Sequence, residues 1–231
     1  MGAPARISSP DPSRLPRRDD TARARLRAAA TRVVPAVLAR DRVLAVDGPI
    51  GQLLPAGGVA RGITVACDGP PGAGSTTVAC TLAAAATSAG EWAAVVDPGA
   101  TFGAAAAAEA GVELERCAVV RGVPPERWST AVAALLDGCA LVVASTPAHL
   151  RAGDARRLIS RARERASVLV VLGRWPAEAS VRIDARGGAW HGLGAGSGLL
   201  AGRELEVGVT AKGRPPDAKD AHDPHRVRLV S

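Results

Sequence analysis

The sequence predicts an α/β fold: a mostly parallel sheet flanked by helices, with antiparallel C-terminal strands and an N-terminal helical extension. Continuously apolar runs of strand length alternate with helical segments through the middle of the chain, which is typical of a parallel sheet covered on both faces. A glycine-rich loop separates the first of these strands from the helix that follows. The chain has 231 residues, 47% of them hydrophobic, which is enough for one such domain.

Composition divides the chain into four segments. Residues 1–20 are rich in proline, serine and charge and predict a disordered tail. Residues 21–45 place apolar positions at helical spacing among arginines, which predicts a helical segment that Pro35 kinks or breaks. Residues 46–211 are the predicted α/β core, and residues 212–231 a basic C-terminal loop and final strand.

Strands and helices alternate within the predicted core. The predicted strands span 62–68, 92–97, 117–120, 140–145 and 167–172. The predicted helices span 75–89, 102–110, 125–137 and 151–166. Beyond Gly173 the pattern changes to short alternating segments, which predict antiparallel strands that extend one edge of the sheet. These segments lie near 180–184, 199–210 and 226–230.

Charge and cysteine content indicate the surroundings of the protein. The formal charge of +7 favours acidic partners, nucleic acid among them. The four cysteines lack C-x-x-C spacing, which predicts buried reduced thiols. No apolar stretch is long enough to span a membrane, and no apolar segment follows the N-terminal charges. We therefore expect a cytoplasmic protein, with association with the nucleoid as an alternative.

The glycine loop, residues 69–77, has the shape of a phosphate-binding loop. In the pattern G-x-x-x-x-G-K-[ST], backbone amides hold phosphates, the lysine neutralises charge and the hydroxyl contacts Mg²⁺. Here Ser75 stands in place of the lysine, while the backbone amides of residues 72–76 are expected to remain available. The candidate nucleotide-binding residues are Gly69, Gly72, Gly74, Ser75 and Thr76.

Phosphoryl transfer also needs a carboxylate that holds the metal, usually at the end of a later apolar strand. The strand 141–145 has no acid at its end. Asp97 ends the strand 92–97 and offers a carboxylate, but an aspartate that opens a turn explains it equally well. We therefore expect no enzymatic activity, no catalytic residue, no metal site and no cofactor, with ATP and Mg²⁺ as the alternative ligands.

Three further segments each have a structural and a functional interpretation. The histidines at 222–225 fit a metal site less well than a solvated polar loop. The arginines of helix 151–166 are typical of a solvated helix face, and DNA binding is the alternative. The glycine-rich segment 192–198 is either a binding loop or a hairpin connection.

Taken together, the residues from 54 to 77 resemble the opening of the RecA core, and the similarity extends over roughly residues 50 to 210. The resemblance is carried by Leu54, Gly57, Gly58, Val59, Arg61, Gly62, Gly69, Pro70, Gly74, Thr76 and Thr77. A more specific resemblance is to the RecA-like accessory proteins of actinobacterial mutagenesis cassettes, the ImuA-type proteins of the RecA/SulA-like superfamily. It is carried by Trp128 and by residues 92–97, 133–138, 155–158, 161–165, 171–176 and 190–194.

This resemblance implies partnership with an inactive Y-family polymerase homologue and an error-prone C-family polymerase during translesion synthesis in the SOS response to DNA damage. The chain departs from the recombinase pattern at three places. Ser75 replaces the loop lysine, Pro98 or Gly99 lies where a catalytic glutamate would follow, and Ala144 lies where the strand acid would be.

We therefore expect a noncatalytic RecA-like adaptor in DNA repair and mutagenesis that binds polymerase-type proteins. The N-terminal helical segment suits a helix-in-groove contact. Its candidate partner-binding residues are Arg23, Leu26, Arg27, Val33 and Val37. The alternative is a weak ATP-dependent, DNA-binding RecA paralogue, and a third interpretation is sequence-independent DNA binding through a basic face.

Overall fold

The computed structural model describes residues 42–192, 197–199 and 201–212, together with the backbone of residues 225–229. Its helices are α1 (Gly48–Leu53), α2 (Ser75–Ser88), α3 (Ala104–Glu109), α4 (Pro125–Leu136) and α5 (Ala152–Arg165). Its strands are β1 (Val43–Ala45), β2 (Gly58–Ala60), β3 (Thr64–Asp68), β4 (Ala93–Val96), β5 (Cys117–Val120), β6 (Leu141–Ser145), β7 (Val168–Leu172), β8 (Val181–Ala185), β9 (Trp190–His191), β10 (Gly202–Ala211) and β11 (His225–Leu229).

A nine-stranded sheet forms the centre of the fold. Eight strands follow the order β11-β10-β8-β3-β7-β6-β4-β5, and β9 pairs with β10. The strands from β5 across to β8 are parallel to their neighbours, whereas β10 runs antiparallel to β8, β9 and β11. The prediction of an α/β fold with a mostly parallel sheet and antiparallel C-terminal strands is confirmed.

The direction of β8 differs from the prediction. We expected the segment near 180–184 to be antiparallel, but β8 is parallel to β3, with Val65 opposite Val181 and Asp68 opposite Asp184. Residues 173–180 return the chain from the end of β7 to the other side of β3, so β8 enters the sheet in the same direction. Its alternating burial reflects partial exposure of one face, which does not determine strand direction.

Apolar side chains form one core on each face of the sheet. Val65 and Cys67 belong to the first core and Ala66 to the second, because successive side chains of a strand point to opposite faces. The first core is covered by α1, α2 and α3. The second is covered by α4 and α5 and contains Trp128 and Trp175. The sheet is thus covered on both faces, and its functional surface is left at the strand ends.

The N-terminal boundary of the described part lies within the predicted helical segment. Residues 43–45 form β1 rather than helix and pair with β2 in a separate two-stranded sheet. Leu44 from β1 is buried in the first core. The rest of that segment and the predicted tail at 1–20 lie outside the described residues. Within the described ranges, no helix is long and apolar enough to cross a membrane.

Candidate functional site

The glycine loop lies at the carboxyl edge of the parallel strands, where open α/β sheets bind ligands. A pocket of about 390 Å³ opens there, between the loop, the start of α2 and the ends of β4, β6 and β7. This volume lies within the range of about 300–1,000 Å³ that is common for small-molecule sites. The predicted nucleotide-site residues all line it: Gly69, Gly72, Gly74, Ser75 and Thr76.

Two glycines let the loop lie directly against the C-terminal strands. Gly69 has φ +156°, and a Cβ there would stand 2.5 Å from the backbone oxygen of Ala185 in β8. Gly74 has φ +108°, and a Cβ there would stand 2.5 Å from a methyl carbon of Leu205 in β10. A side chain at Gly69 would push the loop away from the backbone of β8, whereas one at Gly74 would require the Leu205 side chain to move.

The backbone amides of the loop are only partly available to a ligand. The Ala73 amide donates to the oxygen of Pro70 at 3.0 Å, so the expectation that every amide of 72–76 is available is wrong at this residue. The helical hydrogen bonds of α2 begin with the Val78 amide, which donates to Gly74. No side chain caps the first turn of α2. Its leading amides are therefore open to water or to an anion.

Two successive rows of residues end the parallel strands at the carboxyl edge. The registers of β4, β6, β7 and β3 place Val96 opposite Ala144, and both Ser145 and Cys67 opposite Leu172. Ala144, which we expected in place of a strand acid, is fully buried in the second core. Ser145 lines the pocket instead, because side chains alternate along β6. Neither residue provides a carboxylate.

Asp97, which directly follows β4, provides the carboxylate that lines the pocket. Its Oδ1 accepts hydrogen bonds from the Thr101 amide at 3.0 Å and the Thr101 hydroxyl at 3.1 Å, and its Oδ2 accepts one from the Phe102 amide at 2.8 Å. Burial opposes its ionisation, but these bonds, with Arg121 at 3.9 Å, outweigh burial and hold the pKa of Asp97 below its ordinary value. Asp97 thus fixes the turn after β4 as an ionised side chain.

Arg203 brings a positive charge to the loop. Its Nη2 donates a hydrogen bond to the backbone oxygen of Gly72, and it lines the pocket. Its guanidinium carbon lies 4.6 Å from the ring centroid of Trp190, its neighbour across the β9–β10 pair. A cation–π contact of this kind favours an arginine side chain that stays in one position. Sequence reasoning missed Arg203 because nothing near it in the chain marks it as part of the loop.

The remaining predicted positions lie elsewhere. The partner-binding candidates of the N-terminal segment lie outside the described residues: Arg23, Leu26, Arg27, Val33 and Val37. Among the described residues, no cluster of three or more His, Cys, Asp or Glu side chains is arranged to hold a metal ion. The cysteines Cys67, Cys80, Cys117 and Cys139 are free thiols.

A known family matches the part of the chain that forms most of this pocket. The sequence model of the MT3502 N-terminal domain family matches residues 52–177, more than half of the chain. The chain belongs to this family. The region matched by the MT3502 N-terminal domain includes the glycine loop, Asp97, Ser145 and the end of β7, but it stops before β8 and Arg203. Comparison with curated proteins finds no match.

Proposed function

We propose that this member of the MT3502 N-terminal domain family is a noncatalytic adaptor with a RecA-like core, which assembles polymerase-type proteins during damage-induced translesion synthesis. The position of the loop strand excludes one alternative to the RecA-like interpretation, a dinucleotide-binding sheet. In a dinucleotide-binding sheet, the first strand lies beside the second and fourth strands of the series. Here β3 lies between β7 and β8, the last two parallel strands along the chain, so the sheet is of a different type.

One observation carries the noncatalytic part of the proposal. Among the described residues, the pocket contains a single carboxylate, Asp97, and both of its oxygens already accept hydrogen bonds from the next turn. The loop has Ser75 where phosphoryl transfer needs a lysine, and β6 presents Ser145 where it needs an acid. Phosphoryl transfer depends on charges positioned around the moving phosphoryl group. The pocket therefore suits binding or scaffolding better than hydrolysis.

The partner class rests on the resemblance to the ImuA-type proteins. The N-terminal segment combines Leu26, Val33 and Val37 at helical spacing with Arg23 and Arg27. This spacing predicts an amphipathic helix, which would dock its apolar face into a groove of the partner while its arginines contact acidic residues at the rim. The functional unit is then an assembly held by this segment, with the α/β core as its scaffold.

Reconstitution tests the assembly. The full-length chain is mixed with a purified inactive Y-family polymerase homologue and an error-prone C-family polymerase, and complex mass is measured after size-exclusion chromatography. We expect a complex with at least one of them, which Leu26→Asp combined with Arg23→Glu should weaken more than tenfold. The matched control is Arg163→Glu with Ala104→Asp, which changes charge and apolarity at exposed positions of α5 and α3. No complex with either polymerase overturns the proposal.

Hydrolysis is tested separately. Phosphate release from Mg-ATP is measured for the full chain with and without single-stranded DNA, and we expect no rate above the buffer blank. DNA-stimulated release that is lost in Thr76→Ala contradicts the noncatalytic assignment and favours the ATP-dependent RecA paralogue instead. Because this measurement needs no partner protein, its outcome is independent of the assembly test.

A further inference from the structure

We propose that Arg203 supplies the missing cation of the glycine loop and makes the pocket a binding site for a ligand with linked phosphates. The lysine position of the loop is occupied by Ser75, so the loop itself carries no positive side chain. Arg203 comes from β10, outside the region matched by the family model. The site is therefore assembled from two distant parts of the chain, and it goes beyond the adaptor role.

Two residues that line this pocket each have a buried polar atom without a hydrogen-bond partner among the described residues. The Oγ of Ser75 and the Nε of Arg203 are both buried and make no hydrogen bond to another described residue. Buried polar groups are nearly always satisfied by protein, water or ligand. Ser75 and Arg203 line the cavity beside the uncapped first turn of α2, which places a hydroxyl residue, a guanidinium and helix amides around one cavity. This is the donor set that phosphate oxygens require.

Arg203 is positioned to donate without moving. A guanidinium has five N–H donors, and the contact with Gly72 uses one of them. Stacking on Trp190 restricts the side chain, so less rotational freedom is lost when an anion binds. Leu205, two residues further along β10, packs against Gly74 and fixes the strand relative to the loop. The cation is thus held at a set position above the phosphate-binding backbone.

The charges around the pocket favour an anion at the Arg203 end. Asp97, which also lines the pocket, repels an anion as a carboxylate, although Arg121 Nε at 3.9 Å from its Oδ2 reduces this effect. Asp68, next to the loop, forms an ion pair with Arg182. Both a nucleoside diphosphate or triphosphate and free pyrophosphate have the required chemistry, and the test distinguishes them.

The test is calorimetric titration of the full chain with sodium pyrophosphate, ADP and ATP, each in EDTA and in Mg²⁺. We expect binding of all three at submillimolar concentrations. Equal affinity for pyrophosphate and ADP indicates that the linked phosphates are sufficient, and tighter binding of ADP indicates that the nucleoside adds contacts. Absence of binding by all three overturns the proposal, whatever the result of the partner reconstitution.

Substitutions of Arg203 test whether its positive charge is responsible for pyrophosphate binding. Arg203→Gln should weaken pyrophosphate binding at least tenfold, because it removes a charge-assisted contact, whereas Arg203→Lys should retain most of the affinity. The matched control is Arg163→Gln: Arg163 is exposed on α5 and lies against Gly62, which precedes β3 at the opposite end of the strand. Equal losses in the Lys and Gln variants, or no loss in either, overturn the proposal.

A spectroscopic measurement covers the case in which Arg203→Gln does not fold. Pyrophosphate binding next to Arg203 should change the tryptophan emission of the wild-type protein, since Arg203 lies over the half-exposed ring of Trp190. In the Trp190→Phe variant, which keeps an aromatic ring beside Arg203, pyrophosphate should no longer cause that change in emission. Binding that leaves wild-type emission unaltered places the ligand away from Arg203 and contradicts the proposal.

Discussion

The guanidinium of Arg203 donates a hydrogen bond to the backbone oxygen of Gly72, a residue 131 positions earlier in the chain. The contact forms because β8 pairs with the loop strand β3 and β10 pairs with β8, so the antiparallel strands lie against the loop. A loop whose own sequence lacks a lysine thereby has a positive charge beside it. Under the two proposals above, the loop would bind phosphates without transferring a phosphoryl group, although the loop motif normally joins these two properties.

Gly69→Ala should destabilise the protein by more than about 2 kcal/mol. The new Cβ would lie 2.5 Å from a backbone oxygen of Ala185, which cannot rotate away as a side chain could. Gly72→Ala is the matched control. Gly72 also has a left-handed φ (+79°), but no atom lies within 4 Å of a Cβ built there. Its substitution should therefore cost only the backbone strain of about 1–2 kcal/mol. Urea unfolding measures both, and equal losses would contradict the close packing of loop and β8.

Asp97→Asn should lower the free energy of unfolding at neutral pH by about 1–3 kcal/mol. The amide cannot accept at both ends, so either the Thr101 or the Phe102 amide loses its partner. The comparison variant is Asp154→Asn, whose partner Arg157 is an exposed i,i+3 contact and which should cost less than about 1 kcal/mol. A larger loss in Asp154→Asn than in Asp97→Asn would refute the structural role of Asp97.

The same carboxylate should make stability depend on acid pH. The pKa of Asp97 is lower in the folded protein than its unfolded value of about 3.9, so its stabilisation is complete above the unfolded pKa and is lost as pH falls through the folded pKa. Wild-type stability should therefore fall more steeply than that of Asp97→Asn below about pH 4. Parallel curves in urea titrations between pH 2 and 6 would show that Asp97 titrates alike in both states.

Native thiol labelling should spare the cysteines of the first core. Burial, with smaller effects from the charges of Asp68 and Asp184, raises the pKa of Cys67 to about 12. Burial also raises the pKa of Cys80 to about 11, with Cys117 as a lesser cause. Only the thiolate reacts, so a variant that keeps these two cysteines alone should not react with DTNB at pH 8 until it is unfolded. Fast native labelling would indicate an open core.

Trp128 in α4 should tolerate phenylalanine better than alanine. The side chain is 1% exposed, and its Nε1 is buried without a hydrogen-bond partner among the described residues. Trp128→Ala should cost about 3–5 kcal/mol through the cavity it leaves. Trp128→Phe fills much of that space and removes the unpaired donor, so its loss should be smaller. Trp92→Phe, at a 51% exposed position, should change stability by less than about 0.5 kcal/mol.

The candidate site was partly predictable. The glycine spacing placed the loop between β3 and α2, and the five predicted loop residues do line one pocket. The resemblance puts Ala144 at the position of the strand acid, whereas the neighbouring Ser145 lines the pocket, because a shift of one residue along a strand reverses the face. The availability of the Ala73 amide was misjudged because the turn back to Pro70 depends on the loop conformation.

Sequence alone determined the order of strands and helices from β3 to β7 and the loss of the loop lysine, because apolar runs, helical spacing and glycine positions are local properties of the chain. Tertiary structure alone decided that β8 is parallel to β3 and that Arg203 reaches the loop. Both depend on which strands pair and in which register, and pairing between distant segments is set by the packing of the complete sheet. The charge that the motif lacks is therefore visible only in the folded protein.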